Sequence, residues 1–158
     1  MMRVLVLLCA LSLSACAGGG SRPAGVPGAA ALAGIPTRGL PPQTLAQGEC
    51  GLFLWSQTDL SQFVFFSKAA SGRGVTLIGA EEVQLVQTKA EGDLFGQFTT
   101  EMGYTVEGAR DSIELSLTPG ELLTGGQRVS SGRMLRVDTE GWQTITPILG
   151  VRACRLEP

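Results

Sequence analysis

The sequence predicts an all-β domain, a small antiparallel barrel or sandwich of about eight strands, preceded by a disordered tether. Three observations carry this. Apolar residues recur with a period of two, most cleanly in Ser112-Ile113-Glu114-Leu115-Ser116-Leu117-Thr118, the pattern of a strand with one wet face. Turn residues interrupt the apolar runs about every 8 to 12 positions, the spacing of sandwiches and small barrels. No segment sustains an apolar stripe at the 3.6-residue helical period.

In chain order, strand patterns cover residues 51–57, 63–68, 75–78, 83–88, 94–100, 104–106, 112–118, 134–137 and 142–148. Turns are expected at Thr58-Asp59, Ser71-Gly72-Arg73-Gly74, Glu91-Gly92-Asp93, Glu107-Gly108, Gly125-Gly126 and Glu140-Gly141. Residues 119–123 make the best helical candidate, a single turn, with Pro119 at a first-turn position and Glu121 behind it. Leu52-Phe53-Leu54-Trp55 and Phe63-Val64-Phe65-Phe66 are continuous apolar runs. Strict alternation puts Phe63 and Phe65 on one face of a strand and Val64 and Phe66 on the other. One face enters the core. The other is expected to meet the tether, a short helix, a second layer or a partner.

The 158 residues suffice for one domain, and the chain is too apolar to be disordered throughout. A formal net charge of −2 gives nucleic acid no electrostatic purchase, and no nucleic-acid partner is expected. The chain has no histidine, which excludes a Ser-His-Asp triad, a Cys-His dyad and His-ligated zinc. No cofactor is implied, and an enzyme is not expected.

Arg3 precedes an uncharged apolar run over residues 4–13, and Leu13-Ser14-Ala15-Cys16 follows. The run is too short for a membrane-spanning helix, which needs about 20 residues, and has the length of a signal-peptide core. This segment resembles the lipobox signal peptides of bacterial lipoproteins. The resemblance implies cleavage before Cys16 and acylation of that residue. Ala17, where an aspartate tends to retain such proteins in the inner membrane, points to the outer membrane. The expected location is thus lipid-anchored, facing the periplasm or the cell surface. The other reading is a plain secretory signal cleaved near Ala15 or Ala17.

Residues 17–47 hold seven Gly, seven Ala and five Pro, and their only charges are Arg22 and Arg38. Such a segment buries too little to offset its ordering entropy. The domains read as 1–15 signal peptide, 16–47 acylated cysteine and tether, and 48–158 β domain. With Cys9 in the signal and Cys16 acylated, Cys50 and Cys154 remain, an even pair in an exported domain, and a disulfide is expected. A reactive thiol finds no C-x-x-C motif and no histidine to support it.

The remaining constellations carry less. Arg128, Arg133 and Arg136, with Arg152 and Arg155 on a neighbouring strand, are candidate anion-binding residues for a glycan, peptidoglycan carboxylates or lipid head groups. The alternative is a solvated face balanced by Asp138 and Glu140. Glu81-Glu82 and Glu91/Asp93 match no calcium loop and read as solvated turns. The leading expectation is a non-catalytic β binding module on a membrane anchor, its partner an envelope protein or a cell-wall component. A structural subunit of an envelope assembly is a second expectation. The order of lipobox, linker, small β domain and late cysteine is similar to membrane-bound lysozyme inhibitors, which implies an inhibitor of a cell-wall hydrolase. Their binding-loop Ala-Ser-Gly-x-x-Tyr segment is matched only in part. Ala70-Ser71-Gly72-Arg73 continues as Gly74-Val75, and Ser131-Gly132-Arg133 also lacks the tyrosine.

Overall fold

The computed structural model describes residues 39–156, so the signal segment, Cys16 and most of the tether lie outside the described residues. The strands are β1 (Cys50–Ser56), β2 (Phe63–Lys68), β3 (Arg73–Ile78), β4 (Glu81–Phe95), β5 (Phe98–Val106), β6 (Ser112–Leu123), β7 (Gly126–Val137) and β8 (Gln143–Cys154). Each pairs antiparallel with the next, and β8 closes on β1, giving an up-and-down barrel of eight strands. The all-β expectation is borne out, as a barrel. Closure leaves no strand edge unpaired.

An eight-stranded barrel is just wide enough for side chains to fill. Leu52, Leu54, Phe65, Leu85, Met102, Tyr104, Ile113, Leu115, Val129 and Ile148 do so here, in one buried cluster. Each comes from an inward position of its strand, as the period of two requires. Tyr104 brings the largest side chain. Its ring meets Phe65 edge to face, with centroids 5.1 Å apart. Its hydroxyl shares a hydrogen bond of 3.1 Å with Ser67 Oγ and lies 3.6 Å from Met102 Sδ. Burial pushes the phenol up to about 12, against a smaller lowering by Ser67. A raised acid pKa leaves stability intact below the ordinary value of 10 and removes it as pH climbs towards 12. Tyr104 is the only tyrosine of the chain, so absorbance at 295 nm reads it alone. The folded protein should ionise near pH 12 and the protein in denaturant near 10. A native midpoint near 10 would mean that the barrel interior is wet.

Irregularities in the ladders account for the places where sequence periodicity misleads. In β2, Leu54 faces Phe65 but Trp55 faces Phe63, so Val64 is an extra, bulged residue. Phe63 and Phe66 therefore share the outer face, while Phe65 points in and Val64 packs on the interior cluster. That corrects the strict alternation. In β4, a bulge between Glu91 and Leu94 replaces the expected turn at Glu91-Gly92-Asp93. Gly92 there has φ +78°, and a Cβ would collide with Thr100 Oγ1. The strand expected at 94–100 is instead a hairpin tip, turning at Gly96-Gln97. Residues 119–123 are strand and not a helical turn. The β6–β7 ladder shifts register on both sides of Pro119, and an irregular site tolerates a residue without an N–H.

Both ends of the barrel are stoppered. The β4–β5 tip buries Phe95 and Phe98 in the interior cluster at one end. Arg152 faces inward with Leu52 beneath this tip, and its Nη1 donates to Gln97 Oε1 at 3.4 Å. A Cβ on Gly96 would lie 2.6 Å from the same Nη1. At the other end Arg136, which is opposite the inward Ile113, donates from Nη2 and Nε to Asp111 Oδ1 at 2.7 and 3.1 Å. Asp111 is buried, so the pair neutralises what would be a costly lone carboxylate.

Candidate functional site

With the interior packed, grooves among the described residues open on the outside of the barrel. The outer surface is two-sided. Lys89, Glu91, Glu101 and Glu114 crowd the β4–β5–β6 side, with Lys89 Nζ 3.0 Å from Glu91 and its pKa raised by that hydrogen bond. Outward positions of β8 are Ile145, Pro147, Leu149 and Val151, which alternate with inward Thr146, Ile148 and Gly150. β1 continues this apolar face with Phe53 and Trp55, and β2 with Phe63 and Phe66. Rings of Trp55 and Phe63 stack 4.9 Å apart, and those of Phe53 and Phe66 are also 4.9 Å apart.

Residues 39–47, assigned from sequence to the tether, cover part of this face. Leu40 is only 3% exposed and packs in a second cluster with Phe63, Phe66 and Val75. Its amide donates to Phe63 O at 2.7 Å. Burying one leucine side chain stabilises by about 1.5–3 kcal/mol, enough to hold a short strap. Leu45 adds a second contact, and Arg155 Nη1 donates to Leu45 O at 3.1 Å. Glu49 accepts from the Ala46 amide at 2.8 Å and from Lys68 Nζ at 2.9 Å, and these two contacts hold its carboxyl below the usual range. The covering loop is thus the end of the tether itself. Its signal in the sequence was Leu40, an apolar residue between Gly and Pro where nothing periodic marks it.

Alongside the strap a groove of about 350 Å³ stays open, lined by Leu40, Pro42, Gln43, Phe53, Trp55, Ser61 and Phe63. Nearby, Leu60 in the β1–β2 turn is 63% exposed, and Trp142 and Ile145 are 72% and 61% exposed. Gln57 of that turn donates its amide to Pro147 O and its side chain to Ile148 O, which brings the turn against β8. These apolar side chains face solvent at the same end of the barrel.

The expected arginine cluster does not form. Arg136 points inward and is taken by Asp111, and Arg152 points inward at the opposite end. Arg128, beside inward Val129, and Arg133, opposite Ser116, stay on the outside of β7 and have no ion-pair partner among the described residues. A bulge between Val129 and Gly132, where two residues face one of β8, separates them, and the four-residue step from Val151 to Pro147 opposite puts them about 13 Å apart along the sheet. Period two explains the dispersal: Arg133 and Arg136 differ by an odd number of positions and take opposite faces. The lone-standing pair suits two separate contacts better than one anion.

The cysteine pair is joined as expected. Cys50 and Cys154 form a disulfide across the first and last strands, 104 residues apart in sequence. Glu81-Glu82 begin β4, and Glu91 is spent on Lys89. Among the described residues no three His, Cys, Asp or Glu side chains gather as a metal site. Ser71 Oγ accepts from the Arg73 amide, and Arg73 is paired with Glu107 at 3.2 Å. Comparisons with protein-family models, curated proteins and solved structures return no significant match.

Proposed function

We propose that this chain is a lipid-anchored protein of the outer membrane whose barrel is a non-catalytic binding module. Its recognition surface is the outer apolar face of β8, β1 and β2. The anchor rests on the lipobox-like segment ending at Cys16. The observation that supports the binding role is the aromatic groove of Phe53, Trp55 and Phe63, which stays open beside exposed Leu60, Trp142 and Ile145 on an otherwise filled barrel. Exposed apolar surface of this kind marks an interaction or ligand-binding site. Arg128 and Arg133 border the face and are placed to meet acidic groups on the partner.

Position-specific photo-cross-linking in cells tests the surface. A cross-linker at Ile145 should give a discrete adduct with an envelope component, and one at Glu114 on the polar side should give none. Equal labelling from both sides would sink the assignment. The hydrolase-inhibitor reading predicts instead stoichiometric loss of lysozyme activity on adding the purified chain. Intact mass from a membrane fraction tests the anchor: a chain starting at an acylated Cys16 supports it, and an unacylated one overturns it.

A further inference from the structure

Arg136 and Arg152 point into the barrel from opposite ends, and their charges are answered differently. Arg136 has Asp111, whose Oδ1 accepts from Nη2 and Nε at 2.7 and 3.1 Å. Arg152, opposite the inward Leu52, forms no ion pair among the described residues. Its Nη1 reaches two weak acceptors, Gln97 Oε1 at 3.4 Å and the disulfide sulfur of Cys154 at 3.6 Å. Its Nε is buried without a hydrogen-bond partner, and Nη2 has none among the described residues. A guanidinium is always charged and carries five donors, so this leaves a desolvated cation largely unsatisfied, at a cost in stability. The fold is nevertheless fitted around it. Gly96 has φ +66°, and a Cβ there would lie 2.6 Å from Nη1 and 2.7 Å from Cζ. Only glycine lets the β4–β5 tip close over the guanidinium.

Gln97 also lines an open groove of about 180 Å³ at this end, together with Glu49, Cys50, Ala69 and Ala70. We infer that Arg152 and Gln97 form a binding site for the carboxylate of a small organic acid. The acid supplies from solution what Asp111 supplies to Arg136. Gln97 Oε1 holds its place as a neutral, distant acceptor. An entering carboxylate displaces it and takes Nη1 and Nη2 with its two oxygens, the geometry for which the planar guanidinium is matched. A spherical halide offers only one point of contact to that fork. Ala69 and Ala70 leave room for a short apolar tail. Glu49 is already held by Lys68 Nζ and the Ala46 amide, so it does not compete for Arg152. Its charge on the groove disfavours a second carboxylate on the ligand, which selects monoacids over diacids. The site lies at the mouth of the barrel and is independent of the apolar outer face.

The test titrates the full chain in detergent with sodium acetate, against sodium chloride and acetamide at equal ionic strength. Nuclear magnetic resonance follows the arginine Nε–H signals, and that of Arg152 is the one lost in Arg152→Met. Acetate should move this signal saturably, and at ten times the Kd it should raise the melting temperature by about 5 °C. Chloride and acetamide should do neither. Arg152→Met should melt at or above the temperature of the unaltered chain, because it removes a charge that has no partner, and should lose the response to acetate. Arg136→Met should melt well below, because it strands the buried Asp111. An Arg152 signal that stays fixed in a large excess of acetate overturns the inference. So does an equal shift with chloride, which would reveal an adventitious ion only. Should Arg152→Met fail to fold, the titration of the unaltered chain decides, with the Arg152 signal assigned through its contact with Gly96.

Discussion

Replacing Cys50 and Cys154 together by serine should destabilise the domain strongly. The bond closes a loop of about 100 residues, for which the chain-entropy relation gives about 4.7 kcal/mol. It also sits at the seam of the barrel. β1 and β8 are held to each other by one ladder, running from Cys50 opposite Cys154 to Ser56 opposite Ile148. Without the covalent tie, both chain ends fray from the point where the barrel closes. Urea denaturation should show a midpoint far below that of the oxidised protein, with the slope raised because the unfolded chain exposes more surface. A midpoint within a few tenths molar of the oxidised protein would mean that the seam holds by strand pairing alone.

Phe65→Ala should cost about 3–5 kcal/mol, the range for emptying an aromatic site in a rigid core. Phe65 is fully buried, packs edge to face on Tyr104 and belongs to a strand pinned on both sides by β1 and β3. Such a closed barrel has little freedom to collapse into the cavity. The loss should also lower the phenol pKa of Tyr104, since water reaches the ring. Trp142→Ala, by contrast, should change stability by less than about 0.5 kcal/mol, because the side chain is 72% exposed. Thermal or chemical denaturation of the two variants side by side checks the pair. Equal effects would contradict the assignment of Phe65 to the interior and Trp142 to the surface.

Much of the fold was readable in the sequence because the signals were local. Period two in residues 112–118 and the turn glycines at Gly108, Gly125 and Gly141 depend on neighbours a few residues away. The pairing of Cys50 with Cys154 was read from the count of cysteines and from the lipobox-like pattern at residues 1–16. Ladder irregularities were not readable. Val64 is extra only because Trp55 and Leu54 on another strand pair around it. Pro119 sits in a strand only because β7 shifts register opposite it. The dispersal of Arg128, Arg133 and Arg136 was not readable for a related reason. Sequence proximity does not say which face a side chain takes, nor that Asp111 waits beside Arg136.

By itself, the sequence determined that the chain is a β protein with a lipobox-like N-terminal pattern, a cysteine pair bracketing the domain and none of the chemistry that needs histidine. Those properties follow from residue types and short-range spacing. Only the tertiary structure decided that the strands close into a barrel, that the interior is filled, and that the apolar outer face lies over β8, β1 and β2. It also decided that Leu40 leaves the tether to cover part of that face. Each of these depends on contacts between residues distant in sequence, above all the meeting of β1 with β8, where burial and hydrogen bonding choose among many partners that local pattern leaves equal.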